Sequence, residues 1–368
     1  MGLEDWLVEV AEKKASDLLI MVGVPVMMKI NGLLVELSTE KLSPEQVENI
    51  VVEMMDAKQK KEFFDSKELN FSIQRKIGRF RVSALRQRSC VGAVLRRIET
   101  HIPTLEELGM PTALYDFAMM NRGLILVVGP TGAGKSTTLA AMLGHRNRNS
   151  KGHIITIEDP IEFIHEHESC VVTQREVGID TDSYEIGLRN ALRQAPDMVL
   201  IGEIRSRDTM GYALAFAETG HICLATLHAN NANQAFDRIT SFFPHEMHPQ
   251  LWMGLSLNLK LIIAQQLVPT VDEGRLIPAI EILINTPAMA DGIRKNALDE
   301  LRDLMTRSNS QGMQTYDQAL FNLYVQGKIT HETALKYAES ENEVRLMIKL
   351  SKGTKGIDTG GLSLLKDE

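Results

Sequence analysis

Gly129-Pro130-Thr131-Gly132-Ala133-Gly134-Lys135-Ser136 matches the pattern G-x-x-x-x-G-K-[ST] without a gap, and the apolar run Leu124-Ile125-Leu126-Val127-Val128 ahead of it has the length of a strand. A strand, a glycine turn and a helix start in that order make a phosphate cradle. Glycine lets the backbone fold so closely that successive N–H groups point inward, and the opening helix adds its positive end. In such a cradle the stretch Gly129 to Thr137 wraps the phosphates of ATP, Lys135 reaches the β and γ phosphates, and Ser136 holds Mg2+. A glycine turn that binds nothing is the alternative, and the preceding strand disfavours it.

Outward from the cradle, short apolar and β-branched runs at 153–157, 198–201, 222–226 and 277–283 alternate with longer helical stretches. That alternation predicts an α/β fold with a parallel sheet and crossover helices. From about Ala297 the strands stop, and 298–305, 316–326 and 331–340 read as a helical bundle reaching residue 350. The glycine-rich end, 351–368, has few apolar residues and is expected to be a disordered tail.

Residues 1–102 read as a separate mixed α/β module. A first amphipathic helix covers 3–14, strands cover 17–21 and 26–30, and Asn31-Gly32 suits a hairpin turn. Ser43-Pro44-Glu45-Gln46 carries helix-start chemistry, and strands return at 71–73, 80–85 and 91–98. In Gly78-Arg79-Phe80-Arg81-Val82-Ser83-Ala84 the alternation sets Arg79, Arg81 and Ser83 on one face and Phe80, Val82 and Ala84 on the other. A linker over 103–111, with two prolines and a glycine, separates the module from a core expected over 112–296.

Hydrolysis needs more than a cradle: a carboxylate on the metal and a group that positions water. Asp197-Met198-Val199-Leu200-Ile201-Gly202-Glu203 is an apolar strand ending in a carboxylate, although Gly202 takes the place usual for an aspartate. Glu203 would then act on Mg2+ through its waters. A second strand opens into Glu158-Asp159-Pro160-Ile161-Glu162, where three carboxylates crowd together at a cost that a bound cation relieves. That crowding favours a functional site over the alternative of a solvated acidic turn.

Composition closes off several classes. The 368 residues are 44% hydrophobic and 24% charged, ordinary for a globular protein of two domains. No apolar run approaches the roughly 18 to 20 residues of a membrane span, and the acidic start does not look like a signal peptide, so a cytoplasmic protein is expected. Cys90, Cys170 and Cys223 form no C-x-x-C pair and read as reduced thiols. His165-Glu166-His167-Glu168 lacks a second ligand pair at helical spacing and reads as an exposed loop. A net charge of −8 argues against nucleic acid as a partner. A helicase-like motor conflicts with that charge.

These residues together resemble the hexameric secretion ATPases, and within them the PilT/PilU branch that retracts type IV pili. Ala15-Ser16-Asp17-Leu18 and Gly78-Arg79-Phe80-Arg81-Val82 look like that family's N-domain strands. Ile157-Glu158-Asp159-Pro160-Ile161-Glu162-Phe163 looks like its Asp box, and Glu218-Thr219-Gly220-His221 with Ala225-Thr226-Leu227-His228 like its His box. Leu192-Arg193-Gln194-Ala195-Pro196-Asp197 and Gly312-Met313-Gln314-Thr315-Tyr316-Asp317 complete the likeness, which covers nearly the whole chain.

The resemblance implies a PAS-like N-terminal domain followed by a RecA-like P-loop core. It implies that Glu162 is the general base, with Glu158 beside it, that Glu203 is the metal-linked carboxylate and that His228 senses the γ-phosphate; His221 is the weaker histidine. Arg79 and Arg81 are its candidates to act across a subunit boundary, against the alternative of a plain solvated face. The assembly motors of the family carry an N-terminal extension and a four-cysteine zinc loop, and this chain has neither. Cys223 to Gln234 and the stretch after Glu339 look more like the accessory members of the branch. The run Ala288-Met289-Ala290-Asp291-Gly292-Ile293-Arg294-Lys295 keeps Arg294 but lacks the earlier arginine of the autonomous retraction motors. The expected protein is a homo-hexameric accessory ATPase at the inner-membrane pilus base. It would act with a PilT-type retraction ATPase and a PilC-like platform protein in twitching motility and DNA uptake. A nucleotide-gated scaffold on a PilT ring, or the primary motor itself, remain the alternatives.

Overall fold

The computed structural model of the protein describes residues 2–354 apart from 31, 99–100, 273 and 309–311. Two compact units divide it: residues up to Ile102 together with Ile161–His165, and Pro103–Pro160 together with Glu166 onward.

In the first unit the order is α1 (Leu3–Glu12), β1 (Asp17–Ile20), β2 (Met27–Ile30), β3 (Leu33–Glu36), α2 (Pro44–Glu53), α3 (Ala57–Ser66), β4 (Glu68–Arg75), β5 (Gly78–Gln87) and β6 (Cys90–Arg97). The strands form one antiparallel sheet in the order β3-β2-β1-β6-β5-β4. Ser43 caps α2: its hydroxyl accepts from the Gln46 N–H at 3.2 Å, and the Gln46 side chain accepts from the Ser43 N–H at 2.8 Å. Trp6, Val47, Phe63, Phe71, Phe80, Val82 and Leu95 share the core. The β2–β3 register pairs Ile30 with Leu33, and Gly32 takes φ +84° between them. Asn31 lies outside the described residues.

The second unit runs α4 (Ala113–Ala118), β7 (Gly123–Val128), α5 (Lys135–Asn149), β8 (His153–Glu158), β9 (Val171–Glu176), α6 (Tyr184–Ala191), β10 (Met198–Ile201), α7 (Arg207–Glu218), β11 (Ile222–Leu227), α8 (Ala232–Thr240), α9 (His248–Asn258), β12 (Leu259–Pro269), β13 (Leu276–Ile284), α10 (Pro287–Arg294), α11 (Leu298–Arg307), α12 (Tyr316–Val325), α13 (His331–Lys336) and α14 (Glu341–Thr354). Its sheet has the order β13-β12-β7-β11-β10-β8-β9. The apolar runs are continuous because both faces are covered. Leu124, Leu126 and Val128 of β7 feed one core, while Ile125 and Val127 feed the other. β10 and β11 alternate in the same way.

Three sequence expectations are corrected. The run at 277–283 does not extend a wholly parallel sheet: β13 pairs antiparallel with β12, a strand that the sequence reading missed. Residues 161–165 fall in the first unit although the core was expected to run unbroken over 112–296. The run Ile161-Glu162-Phe163-Ile164 carries three apolar side chains, and Ile161 is buried as a solvated acidic turn would not bury it. Residues 351–354 complete α14 and are not part of a disordered tail; the rest of that tail lies outside the described residues.

Segment 103–111 is docked on the second unit. Leu105 and Met110 are buried with Leu114, Ala118 and Ile125. α12, α13 and α14 gather around Tyr316, Leu320, Ile329, Ala334, Val344 and Ile348, with Val268 of β12 and Ala279 of β13 forming the floor.

Candidate nucleotide site

Four parallel strands end side by side, and each hands a functional group to the same rim. β7 leads into Gly129, β8 ends at Glu158, β10 leads into Gly202-Glu203, and β11 leads into His228. This is the carboxyl edge of the sheet, where open α/β folds bind ligands.

The cradle has the backbone its sequence demands. Gly132 and Gly134 take φ +79° and +84°, a region closed to most side chains, and a Cβ on Gly132 would point into open space. α5 then opens at Lys135 with Gly134 as its N-cap and no side-chain cap, presenting the positive end of a 15-residue helix. Lys135 Nζ donates to the Gly129 and Pro130 carbonyls, both at 2.9 Å, so the ammonium is folded over the loop. These features fit a polyphosphate anion. Ser136 and Thr137 follow Lys135 on the first turn and are half-buried.

Gln265 of β12 wedges under the loop. Its Oε1 accepts from Thr138 Oγ1 at 2.7 Å. A Cβ on Gly129 would come within 2.3 Å of the Gln265 carbonyl oxygen, and one on Gly134 within 2.8 Å of Nε2. The first and last of the cradle glycines are therefore required by the strand beneath. Sequence reasoning missed Gln265; two adjacent glutamines inside the run Ile262-Ile263-Ala264-Gln265-Gln266-Leu267 were the available signal.

The acidic side of the rim is built around Glu203. Its Oε2 accepts from Arg205 at 2.7 Å, and its Oε1 lies 3.2 Å from His228 Nε2. Arg205 Nη1 reaches Asp159 Oδ2 at 3.5 Å, so one guanidinium ties two strand ends together. The hydrogen bond to Glu203 raises the Arg205 pKa further. Glu158 accepts from Thr156 Oγ1 at 2.6 Å and from Gln174 Nε2 at 3.3 Å.

Gly202 has no room for a side chain: a Cβ there would sit 2.9 Å from Tyr184 Oη and 3.0 Å from Glu158 Cα. The phenol of Tyr184, first residue of α6, occupies the ground an aspartate would need. Burial raises the Tyr184 pKa, the nearby carboxylates Asp159, Glu158 and Glu203 add to the rise, and Arg205 opposes it. Tyr184 and Arg205 were not foreseen in the sequence, because neither stands in a nucleotide-binding pattern.

Glu203, His228, Glu158 and Asp159 are thus gathered with Arg205 and Tyr184. Glu162 is exposed on the loop after Pro160 and belongs to the first unit, as do Arg79 and Arg81. Both arginines are half-buried on the β5 face opposite Phe80, Val82 and Ala84; Arg81 pairs across the sheet with Ser72 and Arg96. His221 sits at the opposite end of β11 from His228, bonded through Nδ1 to Thr219 Oγ1 at 3.0 Å and edge-on to Phe216, as a structural histidine. His167 Nδ1 accepts from the Val172 N–H at 3.1 Å, and among the described residues no group of three His, Cys, Asp or Glu could hold a metal. Among them, too, no helix is long and apolar enough to cross a membrane.

The family described as Type II/IV secretion system protein matches residues 2–320. The chain belongs to it. It is 60% identical to the type IV pilus ATPase PilU of Pseudomonas aeruginosa over 351 residues, 95% of this chain and 92% of that one. With the type IV pilus retractation ATPase PilT of the same organism it shares 40% over 340 residues, 92% and 98% of the two chains. The crystal structure of the pilus retraction motor PilT with bound ADP superposes with a TM-score of 0.88 at 38% identity, covering 94% of this chain and 99% of that one. The protein is an ATPase of the PilT/PilU branch, with the α/β P-loop fold expected from its sequence.

Proposed function

We propose that this ATPase is an accessory motor of type IV pilus retraction, a homo-hexamer that works with a PilT-type ATPase on a PilC-like platform protein at the cytoplasmic face of the inner membrane. The observation that carries the reading is the convergence of Glu203, His228, Arg205 and Asp159 on the strand edge that bears the cradle. The 60% identity to PilU over nearly the whole chain supports the accessory role.

In this reading Gly129 to Thr137 hold the phosphates of ATP, with Lys135 turning from the loop carbonyls to the terminal phosphates. Ser136 and, through water, Glu203 would hold Mg2+, which supplies charge neutralisation when bound. His228, bonded to Glu203, reports the γ-phosphate; Glu158 and Asp159 shape the acidic wall. Glu162 takes the proton of the attacking water, and Arg79 or Arg81 neutralises charge at the site of a neighbouring copy. Glu162 lies in the first compact unit and the cradle in the second.

The test is retraction force in cells carrying Lys135→Ala, with and without an active PilT-type partner, alongside turnover of the purified variant. Loss of turnover together with reduced force in the presence of the partner is expected. Unchanged force in both backgrounds would leave a nucleotide-gated scaffold instead.

A further inference from the structure

The loop that carries His228 is anchored at its far end by two carboxylates from distant parts of the chain. β11 stops at Leu227, and α8 begins at Ala232 with Asn231 as its N-cap. Asn231 Oδ1 accepts from the Gln234 N–H at 2.8 Å, the ordinary capping bond. The Ala232 N–H, beyond the reach of that cap, donates to Glu281 Oε1 at 2.8 Å in a buried position. The other oxygen of Glu281 accepts from the N–H of Tyr316, first residue of α12, at 3.3 Å. One side chain of β13 therefore closes the N-termini of two helices, one leading from the His228 loop and one in the C-terminal bundle.

A second tie runs in parallel. Asn231 Nδ2 donates to Glu339 Oε1 at 2.5 Å, and Glu339 Oε2 accepts from Arg302 of α11 at 2.8 Å. Arg302 also binds Asp317 at 2.9 Å and Glu343 at 3.1 Å. Asp317, fully buried, accepts from the N–H groups of Glu339 at 2.8 Å and Ser340 at 3.1 Å. The hydrogen bonds run from the α8 N-cap, which follows His228 along the chain, to α11, α12 and the α13–α14 junction.

Burying a carboxylate is costly even when it is hydrogen-bonded, and an apolar residue would pack β13 against α8 and α12 more cheaply. The hydrogen bonds of Glu281 go to the α8 and α12 N-termini, and it is 5% exposed. A buried ionisable side chain with no direct part in the chemistry, joined to the loop that carries His228, marks a part that holds position.

We propose that Glu281 is a positioning residue of the ATPase: it sets where His228 stands and, with Glu339 and Arg302, passes the state of that loop to helices α11–α14. The inference rests on the reading of His228 as the γ-phosphate sensor. The experiment uses the full chain with Glu281→Gln, Glu339→Gln and His228→Ala, singly and in combination, measuring turnover, binding of a fluorescent ATP analogue, and hydrogen exchange at the Glu339 and Ser340 amides.

Glu281→Gln keeps one acceptor and sets an amide N–H against a backbone N–H. Turnover is expected to fall about tenfold or more, with analogue binding within about twofold of wild type. In the His228→Ala background the same change should alter turnover less than about twofold. The exchange response to nucleotide at Glu339 and Ser340 should be lost. Equal losses in both backgrounds would assign Glu281 a structural role alone and overturn the proposal, as would wild-type turnover in Glu281→Gln. If Glu281→Gln does not fold, Glu339→Gln, a partly exposed site, must show the same non-additivity with His228→Ala, and additivity there overturns the proposal. Wild-type turnover in His228→Ala by itself strikes the sensor reading, which the other variants leave untouched.

Discussion

Restoring the aspartate that the strand end at 202 lacks should harm the protein. In Gly202→Asp the new Cβ lies 2.9 Å from Tyr184 Oη, 3.0 Å from Glu158 Cα and 3.4 Å from the Ile157 carbonyl oxygen. Two of those three neighbours are backbone atoms of β8, a strand paired with β10 along its length, so they cannot retreat without disturbing the sheet. Overpacking of this kind costs about 1–3 kcal/mol. The carboxylate would also enter ground already held by Glu158, Asp159 and Glu203. For a unit of this size the melting transition of the nucleotide-binding half should drop by roughly 2–10 °C, and turnover should fall with it. Gly202→Ala isolates the steric part, and adding Tyr184→Phe, which removes the nearest atom, should recover part of the lost stability. Scanning calorimetry with a coupled ATPase assay on the three proteins decides the matter. A Gly202→Asp variant that melts and turns over like the parent would refute the argument that Tyr184 and Glu158 occupy the aspartate's place.

Two further outcomes concern Glu162 and Glu281. Glu162→Gln should keep ATP binding but hold the nucleotide uncleaved, and rapid quench of a single turnover should find ATP in place of ADP; prompt product release would remove Glu162 as the base. Glu281, flanked by Glu339, Arg302, Asp317 and Tyr316, has its pKa raised by burial from 4.5 to about 7, so the folded chain binds more protons than the unfolded chain between those values. Stability should therefore fall as pH rises from about 4.5 to about 7 and level off above. The difference between wild type and Glu281→Gln should swing by up to about 3 kcal/mol across that window, and a flat difference would refute the burial argument.

The cradle was legible because its chemistry is local: glycine φ values, a lysine and a helix start lie within eight consecutive residues. The apolar strands were legible for the same reason, since a sheet covered on both faces needs no alternation. Strand β12 was missed because Gln265 and Gln266 break its apolar run, and those two polar positions are there for partners far away in the chain: Thr138 under the cradle and the Tyr316 hydroxyl on the opposite face, each at 2.7–2.8 Å. Arg205 and Tyr184 were illegible on the same ground. Their meaning depends on the spacing of β8 beside β10, which places Asp159, Glu158 and Glu203 around them. Glu281 reads in sequence as a lone polar residue in Ile280-Glu281-Ile282, and only the packing of α8 and α12 against β13 explains it.

The way Glu203 is held bears on how labour is divided among the carboxylates. Both of its oxygens are engaged, one by the Arg205 guanidinium and one by the His228 ring, and its side chain is only 17% exposed. A carboxylate fixed from two sides is suited to orienting metal-bound water, because its direction does not change from one cycle to the next. It is poorly suited to taking a proton, which requires an oxygen aimed at the attacking water and released afterwards. Glu162 has the opposite character: among the described residues no hydrogen bond or ion pair holds it, and it rides on a segment of the other unit.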